Sequence, residues 1–138
     1  MAANLGSRDT ARAAIHLALS RTREEEMALK QEIAKQGIRC VAVDYGGEFI
    51  PAIMKMVERS VVAAKREGVI LETHLEEGAV AGAAHEAISQ LTTKAMGLNV
   101  GGKIGIARAG DHVCVAVFLG IGLLHLNEMA IGMGHRAL

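Results

Sequence analysis

Residues Val113 to Leu119, VCVAVFL, place valine or leucine at every second position. A period of two is the spacing of side chains on one face of a β-strand, so Val113, Val115, Val117 and Leu119 form one apolar face. Ile104 and Ile106 keep the same period upstream, and Gly110-Asp111 supplies a two-residue loop between the runs. Together they predict a β-hairpin. A Gly-rich connection, Gly120 to Gly122, leads to Leu124-His125-Leu126, and Ile131-Gly132-Met133-Gly134 reads as a further strand.

The rest of the chain supplies helices to lay on that sheet. Ser7 caps a segment through Leu19, and Thr22 with Glu25 forms a capping box for a segment carrying Met27, Leu29, Ile33 and Ala34 that Gly37 stops. One helix broken near Ser20 fits these residues as well as two. Ile38 to Asp44 alternates and is rich in β-branched residues, a strand followed by the Gly46-Gly47 turn. Pro51 suits a first helical turn, and Ile53, Met56, Val57, Ser60, Val61 and Ala64 recur at helical spacing until Gly68. Val69 to Leu71 reads as a short strand, and EEGAVAGAAHEA, from Glu76, opens a fourth helix that closes near Gly97. The predicted fold is α+β: a four-stranded, mainly antiparallel sheet flanked by helices, in the order α-α-β-α-α-β-β-β.

A chain of 138 residues reads as a single domain, and 51% hydrophobic content with two Phe, one Tyr and no Trp points to an aliphatic core. Fifteen basic residues balance fifteen acidic ones, so there is no global field to draw in a polyanion, and nucleic-acid binding would have to be local. Cys40 and Cys114 sit in apolar runs without CxxC spacing, which predicts buried thiols in a reducing compartment, the cytoplasm. No apolar run is long enough for a membrane span, and the apolar content predicts a homo-oligomer.

The constellations that could carry chemistry are thin. His74 and His85 are eleven residues apart on one helix, about 16 Å of rise, too far to share an ion. A metal-dependent enzyme would need His85 to converge with His125 and Glu128 from the last strands. Cys114, flanked by valines, has nothing to stabilise a thiolate. Gly101-Gly102-Lys103-Ile104-Gly105 precedes a strand, whereas a phosphate loop follows one and opens a helix. Lys94, Lys103, Arg108 and Arg136 could form a basic patch without interleaved aromatic residues, and Arg21 to Glu26 reads as a solvated charged face. Gly78 and Gly82, one turn apart within a helix, each cost about 1 kcal/mol relative to alanine and strip one face of side chains.

The segments VVAAKREGVI, GAVAGAAHEA, VGGKIGIAR, VCVAVFLGIG and IGMG, in that order between Pro51 and Leu138, resemble the HutP family, RNA-binding antiterminators of histidine-utilisation operons. The resemblance implies a non-enzymatic regulator, assembled as a homohexamer built from dimers. It further implies that L-histidine and magnesium or a similar divalent ion order the protein to clasp repeated triplets in a messenger RNA leader. The two metal-ligating histidines that the resemblance places at i and i+4 fall on Gly78 and Gly82, so no metal ligand is carried over. A third histidine falls near Asn127 or Glu128, and the arginine that contacts histidine near Thr93, beside Lys94. The base-reading threonine and glutamate fall near Asn99 and Asn127, and a further glutamate-threonine pair falls on Val61 and Val62.

Two non-enzymatic readings follow from this resemblance. One is a HutP-like antitermination regulator with altered or lost histidine and metal dependence, binding its ligand around Gly78, Gly82, Lys94 and Glu128 and RNA through Asn99 and Asn127. The other is an oligomeric small-molecule sensor of the same fold that uses the emptied pocket.

Overall fold

The computed structural model describes residues 7–46, 51–71, 73–95, 101–120, 122–130 and 135–136, with residues 7, 92–95, 122–130 and 135–136 described by their backbone alone. The helices are α1 (Ser7–Leu19), α2 (Arg23–Lys35), α3 (Ile53–Arg66) and α4 (His74–Ala95). The strands are β1 (Arg39–Asp44), β2 (Gly102–Ala109), β3 (His112–Leu119), β4 (Gly122–Ala130) and β5 (His135–Arg136). All pair antiparallel in one sheet of order β1-β2-β3-β4-β5, so each strand lies beside its sequence neighbour.

The fold is α+β with an antiparallel sheet, but the strands differ from the sequence reading. Among the described residues five are present where four are expected: Leu124-His125-Leu126, which the sequence reading left without an element after the Gly120–Gly122 connection, lies inside β4. The reason is a register shift: Ala116 pairs with Leu126 and Val117 with Leu124, which leaves His125 as an extra residue that breaks the period of two. The strand expected at Ile131–Gly134 lies outside the described residues. Val69–Leu71 is not a strand, because the Val69 and Ile70 amides both turn back to donate to the Ala64 carbonyl at the end of α3.

Local signals account for the helix ends. Thr22 Oγ1 accepts from the Glu25 amide at 3.0 Å while Glu25 Oε1 accepts from the Arg21 amide at 2.6 Å, so the capping box forms and separates α2 from α1. Helix α4 begins at His74, ahead of the expected Glu76, because Thr73 Oγ1 accepts from the Glu76 amide at 3.1 Å. Pro51 lies before the N-cap of α3, which is Ala52, and so precedes the first turn. Gly110, at φ 59°, turns the hairpin between Ala109 and His112.

The central strands β2 and β3 are buried on both faces. Ile104, Ile106, Val113, Val115, Val117 and Leu119 face α3 and α4, meeting Met56, Ala64, Val80, Ala84, Ile88 and Leu91. Ala107, Ala109, Cys114 and Ala116, alternating with them, face Ala11, Ala14, Leu17 and Ala18 of α1 and Ile33 of α2. Cys114 is fully buried as expected, but Cys40 is only half-buried at the sheet edge. Among the described residues, no helix is long and apolar enough to cross a membrane.

Candidate functional site

Helix α3 begins as an amphipathic segment, burying Met56, Val57, Ser60, Ala63 and Ala64 on the core side. Its opposite side keeps large apolar groups in solvent, with Met54 69% and Val62 55% exposed. Helix α4 packs beside it and buries Glu76, Val80, Ala83, Ala84, Ala87, Ile88 and Leu91, which leaves Leu75, Gly78, Gly82 and His85 on the outer side. A groove of about 480 Å³ runs between the two helices, floored by Val57, Val61 and Ala81. Lys65 and Glu77 bridge it at 3.0 Å, and Met54 and Lys55 mark its end. Such a groove can hold an apolar body with a charged group at one end.

Gly78 and Gly82 are both exposed on the outer side of α4, and no heavy atom lies within 4 Å of where a Cβ would stand at either position. Within the chain, therefore, these glycines do not serve close helix packing. They also supply no side-chain donor, and among the described residues no group of three or more His, Cys, Asp or Glu is placed to hold a metal ion. The donor set on α4 does not fit a metal held by this helix.

The orientation of α4 is set from the sheet. Arg108 of β2 reaches the Glu76 carboxylate at 2.5 Å, and Glu76 Oε1 also accepts from the Leu71 amide at 2.8 Å. Burial raises the Glu76 pKa, but the hydrogen bonds from Arg108 and the Leu71 amide, together with the Arg108 charge, outweigh it, and the net shift is downward. On the opposite face of the sheet Lys103 Nζ lies 2.6 Å from Glu26 and 2.9 Å from Ser20 Oγ. Burial raises the Glu26 pKa there too, yet Lys103 and Lys30 bring it below its ordinary value.

These two pairs correct two sequence readings. Lys103 and Arg108 cannot share a basic patch, since they lie on opposite faces, Lys103 buried and Arg108 partly buried, and each is neutralised by a glutamate. Glu26, within the run read as a solvated face, is the carboxylate that ties α2 to the sheet. Neither partner was identifiable from spacing, because the residues are far apart in the chain; the Thr73-x-x-Glu76 capping box, however, was present in the sequence and marks Glu76.

The remaining site residues are only partly placed. Asn127 and Glu128 lie in β4 opposite Val115 and Cys114, and Lys94 lies in the last turn of α4, each described by backbone alone. Asn99 lies outside the described residues. Val61 is half-buried against α4, and Val62 stands in solvent beside it. His74 and His85 are exposed.

A family model, HutP, matches residues 10–136. No curated protein and no solved structure gave a match. The matched span takes in both core layers, the α3/α4 groove and the two exposed glycines of α4. The chain belongs to the HutP family, whose members are RNA-binding antitermination regulators.

Proposed function

We propose that this protein is a HutP-type antitermination regulator that binds a messenger RNA leader in the cytoplasm, with altered or lost dependence on L-histidine and a divalent metal. The observation that carries the reading is the family match over residues 10–136 combined with glycine, exposed and without a donor, at positions 78 and 82. In this reading the chain acts as one HutP-like domain in a hexamer built from dimers and has no catalytic role. Gly78, Gly82, Lys94 and Glu128 surround the ligand site, and Asn99 and Asn127 present amides that can donate and accept at a base edge. Lys55 at the end of the α3/α4 groove is a cation for phosphate contact.

The test is binding to randomised RNA pools with and without L-histidine and magnesium, over a series of salt concentrations. RNA binding that persists without either ligand, with the shallow salt dependence of a neutral protein making few phosphate contacts, is the expected result. Binding that strictly requires both ligands overturns the altered dependence, and selection of no RNA overturns the regulator reading. The apolar α3/α4 groove favours a second reading, an oligomeric small-molecule sensor. For that reading, amphipathic small molecules should raise the melting temperature while no RNA is bound.

A further inference from the structure

Among the described residues, strand β1 is an edge of the sheet and pairs only with β2. The Tyr45 amide donates to the Gly102 carbonyl at 2.7 Å, and in that register odd-numbered residues of β1 exchange hydrogen bonds with β2. Cys40, Ala42 and Asp44 therefore turn both their amide and carbonyl groups outward, and no hydrogen bond from the described residues reaches them. A cleft of about 420 Å³ opens along this edge, walled by Ala42, Val43 and Asp44 on one side and by α3 on the other. Between its charged ends, Arg39 and Asp44, the strand has no proline, no bulge and no charge.

We propose that this edge docks a second copy of the chain, strand against strand, about a twofold axis at Ala42. The outward groups determine the choice of occupant. Cys40, Ala42 and Asp44 are symmetric about Ala42, so an antiparallel copy with Ala42 opposite the partner's Ala42 satisfies all of them, with about six backbone hydrogen bonds. Shifting the copy by two residues leaves part of the set unpaired. The same register sets Val41 opposite the partner's Val43 on the α3/α4 face, a β-branched cross-strand pair that extends the existing core. The cleft walls carry Asp44 and Glu58 against Arg59 and Arg66, a balance of charge that complements itself and offers no net attraction to a polyanion. Val62, 55% exposed on the cleft wall, would be covered by the same contact.

This interface locates a contact for the proposed oligomer but does not depend on RNA binding, which is measured separately. The test is Ala42→Cys in a Cys40→Ser background, where the two introduced thiols would face each other at the Cα spacing of a hydrogen-bonded pair, about 5.5 Å, within disulfide range. Under mild oxidation it should form a covalent dimer at least about tenfold faster than Met27→Cys in the same background, Met27 being 55% exposed on α2. Ala42→Pro removes an outward amide while leaving the β1–β2 ladder whole, so the sedimenting mass should fall to that of a smaller species. Equal cross-linking rates, an unchanged mass for folded Ala42→Pro, or a wild-type chain that sediments as a monomer at micromolar concentration overturns the proposal. If Ala42→Pro unfolds, the cross-linking rates decide.

Discussion

The two faces of the sheet are built from alternate residues of the same strands, yet they solve different packing problems. Toward α3 and α4 the strands present isoleucine, valine and leucine, and the helices stand off at the distance those side chains demand. Toward α1 they present Gly105, Ala107, Ala109, Cys114 and Ala116, and α1 answers with Ala11, Ala14, Leu17 and Ala18. A Cβ on Gly105 would clash with the Ala14 carbonyl oxygen and stand 3.1 Å from the Ala18 amide nitrogen, so here helix backbone lies directly on strand backbone. One face tolerates no loss of volume, the other no gain.

Paired substitutions would break this comparison if it is wrong. Ile106→Ala deletes three carbons from a fully buried position and should cost about 2–5 kcal/mol. Gly105→Ala adds one carbon next door and should cost about 1–3 kcal/mol, because the obstructing atoms are backbone and cannot rotate away. Urea unfolding measures both, and a neutral Gly105→Ala would show that α1 is free to lift from the sheet.

Each face also carries a partly buried ion pair between helix and sheet, and these should respond differently. Arg108→Met leaves Glu76 buried without its cation and should destabilise by about 3 kcal/mol. Lys103→Met should cost less, about 1–2 kcal/mol, since Glu26 is more exposed and keeps Lys30 at 3.0 Å. Both carboxylates have folded-state pKa values below the ordinary 4.5, so their stabilisation is present above that value and is lost as pH falls through the depressed ones. Wild-type stability should therefore decline on acidification below about pH 4.5, and Arg108→Met should flatten that decline by releasing the Glu76 pKa upward.

The smallest effects belong to the glycines outside both layers. Gly78→Ala and Gly82→Ala meet no atom within 4 Å and lie within α4, so each should stabilise the chain by about 0.5–1 kcal/mol. If another chain's backbone covers this face, the same changes would weaken assembly while the helix gains, a combination that sedimentation and urea unfolding together would reveal.

The sequence by itself determined the elements whose causes are local. The alternation from Val113 to Leu119, the Gly110 turn and the Thr22–Glu25 capping box each depend on residues within a few positions of one another, and each forms as read. The segments shared with the HutP family carried the family assignment, which the match over residues 10–136 supports. Tertiary structure alone decided which charges meet. Lys103 and Glu26, or Arg108 and Glu76, become partners because β2 passes between two helix layers, and neither pair is encoded by spacing along the chain. It also decided the register of β4, where one extra residue at His125 interrupts the pattern by which a strand is recognised. The openness of Gly78 and Gly82 is of the same kind: a glycine in a helix looks identical in sequence whether a backbone lies against it or solvent does, and the distinction exists only once the neighbouring elements have taken their places.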